Sequence, residues 1–151
     1  MNSWIARADR TVSERIAAAP DDVRAFYVDL DNLRTLHPFL ISVRSTDRQD
    51  TAEGYVQTYT VREDIPLGPV KLPIRFVARL SVPESGDVVT DSYQFPRVHL
   101  HTVVTFEPAG EGTLLTERMR IAAPRPLAGV TVRQGVEAHR HMLAGIAAHF
   151  A

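Results

Sequence analysis

The chain contains no cysteine. Disulfides, thiolate metal sites and a cysteine nucleophile are therefore excluded, and nothing points to an oxidising compartment. It also lacks a charge excess of either sign. The formal net charge is −1 and the basic residues are scattered. A nucleic-acid binder normally carries a basic stripe or patch, so nucleic acid is not an expected partner. No apolar run approaches the ~20 residues of a membrane span, and integral membrane contact is not expected. Met1-Asn2-Ser3-Trp4-Ile5-Ala6-Arg7 has no apolar leader core, which makes the cytoplasm the default location. There is no phosphate-binding glycine loop, no nucleophile elbow and no His-Glu-x-x-His helix. Repeats, low-complexity tracts and linkers are absent too.

What is present is a chain of 151 residues with 44% hydrophobic content, too apolar for disorder. This length suits a single domain, 1–151. Arg10 to Ala17 reads as a strand with Val12 and Ile16 on one face. Pro20-Asp21-Asp22 opens a helix: proline has no N–H to leave unpaired there, and the carboxylates favour the positive end of the dipole. Val23, Phe26, Tyr27 and Leu30 follow at helical spacing. Asp31 is expected to cap a second short helix carrying Leu33 and Leu36, which Pro38 stops.

Six strands are expected next: Leu40 to Thr46, Tyr55 to Glu63, Val70 to Val82, Val88 to Phe95, Val98 to Glu107 and Thr113 to Ile121. Asp47 to Gly54 and Ile65 to Pro69 read as the loops flanking the second of these. Val70, Leu72, Ile74, Phe76, Ala78, Leu80 and Val82 share one parity, and Lys71, Arg75 and Arg79 the other. That alternation predicts a half-buried antiparallel strand, whose extended length of roughly 43 Å requires it to bend or twist. After Pro124 the apolar period changes to that of a helix. Pro126 starts it, and it runs to about His149. Its stripe is Val132, Val136, His139, Leu143, Ile146 and Phe150, expected to face the long strand. Strands grouped together, with helices at the ends, predict an α+β architecture: a curved seven-stranded antiparallel sheet around a long C-terminal helix, with two short helices after the first strand.

This order resembles the START-like, or Bet v 1-like (SRPBCC), superfamily, and within it the polyketide cyclase/dehydratase and lipid-transport group. The resemblance is carried by Val12-Ser13-Glu14-Arg15-Ile16-Ala17-Ala18-Ala19-Pro20-Asp21-Asp22-Val23, then Phe26-Tyr27, Asp29-Leu30-Asp31 and His37-Pro38. Gly112-Thr113-Leu114 and the long terminal helix complete it. It covers nearly the whole chain. It implies a helix-grip fold and a cavity for a hydrophobic small molecule such as a lipid or polyketide-like compound. It does not imply one reaction, because the fold hosts carriers, hormone receptors, chaperone activators and cyclases. The gate motifs of the plant hormone receptors are not visible.

Candidate chemistry centres on His139, which interrupts the apolar stripe of the last helix. It is either a polar group on the cavity wall or a neutral buried histidine bonded to a neighbour. Glu14 shares parity with Val12 and Ile16, and Glu117 with Leu115, Met119 and Ile121, so both are expected to point inward. An inward carboxylate beside an inward histidine makes an acid/base set; a bulge would turn either outward. Apolar cavity walls are expected from Phe26, Tyr59, Phe76, Leu100, Val104, Phe106, Leu143 and Ile146 together with His139. The opposite parity of the Tyr59 strand is equally compatible with facing inward. His37-Pro38-Phe39 is expected near the cavity mouth. His99 and His101 alternate with Leu100 and so face the outer side of the sheet. A His-x-His pair can ligate a metal, but no third ligand stands at a suitable spacing, and a solvated sheet face explains the pair without one. No metal site and no cofactor is expected. The leading reading is a carrier or sensor of a hydrophobic small molecule. The alternative is a cyclase or dehydratase moving protons with His139 and a carboxylate, and a third is an adaptor using the outer sheet face. Proximity of His139 to Glu14 or Glu117 would favour the enzyme. The oligomeric state is open, a homodimer included.

Overall fold

The computed structural model describes residues 4–151; Met1–Ser3, part of the segment read for a leader, lie outside the described residues. The elements are β1 (Ile5–Ile16), α1 (Pro20–Val28), α2 (Leu30–Leu33), β2 (Leu40–Asp50), β3 (Gly54–Leu67), β4 (Val70–Pro83), β5 (Val88–Gln94), β6 (Val98–Ala109), β7 (Gly112–Pro124) and α3 (Arg125–His149). The seven strands form one antiparallel sheet in the order β1-β7-β6-β5-β4-β3-β2. Consecutive strands pair as hairpins except for β1 and β2, which lie at opposite edges. The segment through α1 and α2 carries the chain from one edge to the other.

Both outer segments read as loops prove shorter. β2 continues through Asp47 to Asp50, opposite Tyr55–Thr58, and Ile65–Leu67 stays paired with β4. The β3–β4 turn needs only Gly68-Pro69, with Gly68 in the left-handed region at φ 62°. Asp29, not Asp31, caps α2: its Oδ1 accepts the Asp31 N–H at 3.1 Å, and the helix ends at Leu33 before reaching Leu36.

α1 starts at Pro20 as expected, with Asp21 and Asp22 in its first turn. Arg24 anchors it to the β4–β5 turn by donating to the carbonyls of Pro83 and Gly86. Gly112 and Thr113 tie the end of β1 to the start of β7. A Cβ on Gly112 would stand 2.2 Å from the Ile16 carbonyl oxygen, and the Thr113 hydroxyl donates to the Ala18 carbonyl at 2.7 Å.

The core runs along the concave face of the sheet beneath α1 and α3, with α3 packing on β1 and β7. α3 buries Ala138, Met142, Leu143 and Ile146, while Val132, Val136 and Phe150 pack partly buried at its margins. The expected pairing of its stripe with the long strand is not what forms. β4 has the expected inward parity, but only Ala78, Leu80 and Val82 are fully buried, and Val70 and Leu72 project into solvent. α3 leaves the sheet before covering that half of β4, and the gap between them is the cavity.

Candidate functional site

The cavity has a volume of about 200 Å³. Its walls are largely apolar, including Leu33, Val61, Phe76, Leu80, Leu100, Ile121 and Met142. Polar groups enter from two sides: Glu63 from β3, His37 from the turn after α2, His139 and Gln134 from α3 and Tyr27 from α1 on one, and Thr90, Asp91, Ser92 and Gln94 of β5 on the other. Gln134 also closes one side by donating its Nε2–H to the Pro66 carbonyl at 3.1 Å.

His139 Nδ1 lies 2.9 Å from Glu117 Oε1. The Tyr27 hydroxyl donates to the other oxygen of the same carboxylate, Oε2. Glu117 is completely buried, whereas His139 keeps 16% of its side chain exposed. Three elements thus converge: α1 supplies the hydroxyl, β7 the carboxylate and α3 the imidazole. Burial by itself would lower the His139 pKa, but the charge and hydrogen bond of Glu117, with the charge of Glu63, outweigh it and leave it raised. Burial, then the charge and hydrogen bond of Glu117, hold the Tyr27 hydroxyl well above its ordinary value. With Nδ1 engaged by Glu117, His139 Nε2 is the atom available to a ligand.

The second pair stands beside the first. The His37 and His139 rings are 5.6 Å apart and nearly perpendicular. His37 Nδ1 accepts the Phe39 N–H at 3.2 Å, which fixes the neutral tautomer carrying its proton on Nε2. Burial, with the charges of His139 and His141, pushes its pKa down to about 3. Glu63 Oε2 lies 4.0 Å from His37 Nδ1. Burial pushes the Glu63 carboxyl up to about 7, against an opposing contribution from His139. This wall therefore presents an imidazole whose protonated form is favoured by Glu117, a neutral imidazole, and a carboxyl that titrates near neutral pH.

Of the residues expected at the site, His139, Phe76 and Leu100 line the cavity. Val104, Leu143 and Ile146 are fully buried in the packed core instead. Phe106 meets Tyr27 edge-on at 5.7 Å, and Phe26 packs on His149 and Phe150. Tyr59 is buried in the core, its hydroxyl reaching the Val28 carbonyl at 3.5 Å. Glu14 lies beside Leu115 on β1, half-buried and outside the cavity lining; the carboxylate that meets His139 is Glu117. Glu63 was missed. Its parity with Val61, which lines the cavity next to it, is the signal that could have found it. The third group near the His-x-His pair, absent by spacing, is Asp91 on the neighbouring strand.

The family model described as polyketide cyclase/dehydrase and lipid transport matches residues 7–151. The chain belongs to this family. No curated protein matches the sequence. Among solved structures, TTHA0849 from Thermus thermophilus is similar with a TM-score of 0.73 at 16% identity, over 92% of this chain and 94% of that one. The Zhui aromatase/cyclase from Streptomyces sp. R1128 gives 0.69 at 15% identity, over 95% and 93%. Ara h 8.0201 gives 0.61 at 12% identity, over 93% and 98%. At these identities the likeness shows the fold, which is the helix grip of the START-like, Bet v 1-like superfamily. Within this polyketide cyclase/dehydrase and lipid transport member, no helix among the described residues is long and apolar enough to cross a membrane.

Proposed function

We propose that the cavity binds a hydrophobic small molecule bearing hydroxyl and carbonyl groups, and that the wall formed by His139 and Glu63 transfers protons on it as a cyclase or dehydratase. The observation that carries this reading is the 2.9 Å contact of His139 with the fully buried Glu117. An imidazole that only anchored a ligand would not need a buried carboxylate and a tyrosine behind it. Such a support holds the proton on His139 and fixes its ring.

In a dehydration, His139 donates its Nε2 proton to a β-hydroxyl and the C–O bond breaks. Ionised Glu63 takes the proton α to the carbonyl, and that C–H electron pair becomes the new C=C bond. Water leaves, and proton exchange with solvent restores both groups. His37, neutral and with its Nε2–H free of the backbone, can donate to a ligand oxygen without competing as a cation.

An aryl β-hydroxyketone serves as the probe. The expected result is water loss by mass spectrometry, slowed at least about 10²-fold in His139→Gln, the scale of general acid catalysis. A folded His139→Gln that dehydrates the probe at the parental rate would overturn the catalytic assignment. Probe bound but recovered unchanged by the parent protein would favour the carrier reading, which rests on the largely apolar walls.

A further inference from the structure

The outer face of the sheet carries a cluster that the cavity chemistry does not use. Along β5 and β6, Ser92 and Leu100 line the cavity, and strand alternation sends Tyr93, His99 and His101 the other way; Asp91 also borders the cavity, but its carboxylate is engaged by His99 and His101. The register sets Asp91 opposite His101 and Tyr93 opposite His99. Asp91 Oδ1 lies 2.8 Å from His99 Nε2 and 2.8 Å from His101 Nδ1. All three donor atoms fall within 4.8 Å of one another.

The cluster differs from a chance meeting of surface histidines in two ways. Nε2 of His99 and Nδ1 of His101 reach the same Asp91 oxygen, so the three donor atoms are already gathered in one place. The orientation is also fixed: the Tyr93 ring stacks on His99 at 4.6 Å with 4° between planes, and both strands are interior to the sheet. The imidazoles remain 39% exposed and Asp91 27%, which leaves room for further ligands.

We propose that Asp91, His99 and His101 form a surface site for a divalent late transition metal, Cu(II) first and Ni(II) second. At about 2.1 Å per bond, a 2.8 Å N···O edge subtends roughly 85° at the metal. That is near the right angle of square-planar or octahedral coordination and narrower than a tetrahedral angle. Tetragonal N,O sets suit Cu(II) and Ni(II). Arg79 faces Asp91 across β4, and Arg120 faces His101 across β7, where it is held by Asp9 at 3.2 Å. These flanking cations oppose a divalent ion. The metal with the strongest intrinsic affinity for imidazole is therefore the one retained.

The test is calorimetric titration of the untagged full chain, stripped of metal, with Cu(II), Ni(II) and Zn(II) separately. One Cu(II) equivalent is expected, bound more tightly than Ni(II) or Zn(II), with two-nitrogen coupling in the electron paramagnetic resonance spectrum. His99→Asn, His101→Asn and Asp91→Asn should each weaken Cu(II) at least about tenfold, the lower end of the loss from altering a metal site. His141→Asn should leave it unchanged. Folded His99→Asn and His101→Asn variants that bind Cu(II) as the parent does would overturn the site. So would a parental Cu(II) spectrum with fewer than two nitrogens, a reading that needs no variant. Zn(II) bound more tightly than Cu(II) would overturn the geometric assignment.

Discussion

Glu117 is a carboxylate with no exposed surface, and a buried charge of that kind is costly unless it is paired and hydrogen-bonded. Tyr27 and His139 occupy both of its oxygens. Tyr27→Phe removes one of them without changing the ring's packing on Phe106. It should destabilise the protein by about 1.5–3 kcal/mol, the range for hydrogen bonds to charged groups, read from urea unfolding. An unchanged midpoint would mean that the carboxylate does not depend on the hydroxyl. Glu63 makes a different prediction. Its folded value near 7 exceeds the ordinary 4.5, so between these values the folded state binds more protons than the unfolded state. Its contribution to stability is therefore full below about pH 4.5 and is lost as pH rises through 7. Glu63→Gln should remove that loss and gain on the parent between pH 4 and 8 by up to about 3 kcal/mol. His37 works in the opposite sense. Held near 3 instead of 6.5, it contributes stability above pH 6.5 that disappears toward pH 3, so His37→Asn should flatten the acid side. Unfolding midpoints across pH 3–8 separate the two.

At the scale of elements, α3 contains glycines in unlike surroundings. A Cβ built on Gly135 meets nothing within 4 Å, and the residue borders the cavity. Gly135→Ala should raise stability by about 0.5–1 kcal/mol from helix propensity alone. At Gly145 a Cβ would stand 3.1 Å from Leu36 Cδ2 and 3.3 Å from Leu36 Cβ. Gly145→Ala should gain less than Gly135→Ala, because the turn after α2 must give way; thermal melts of the two variants give the comparison. This difference was not legible beforehand. The helix limits were, because Pro126 and the change of period mark them, but which face of the helix meets which strand was not. The stripe from Val132 to Phe150 suits any apolar surface, and only the crossing over β1 and β7 selects Ala138 and Met142 for burial in place of Val132 and Val136.

At the scale of the whole molecule, the sheet has two unlike edges. β1 is covered by α3, whereas β2 is open, mostly exposed, and carries register shifts at Leu40/Ser42 and Ser45/Asp47. Bulges and charged side chains such as Arg44, Asp47 and Arg48 discourage pairing with another sheet. Hydrogen exchange should accordingly be fastest in β2 and at the β3–β4 tip, and slowest in β6 and β7. Protection of β2 equal to that of β7 would mean that this edge is paired in solution, as in a homodimer.

The order of elements, the inward parity of Glu117 and the placing of His139 on the buried side of α3 are written in the chain itself. Each of these is a local periodicity, set by whether a residue one, two or four positions away faces the same side. Whatever depends on two distant segments meeting came from the packing of the folded chain. It chose Glu117 over Glu14 as the partner of His139, because α3 crosses the sheet at the level of mid-β7. It brought Glu63 and His37 to the same wall, and it set Asp91 against His99 and His101 through the β5–β6 register. It also left the cavity where α3 departs from the sheet. Spacing along the chain carries no record of those crossings, since they follow from the twist of the sheet and from which faces pack.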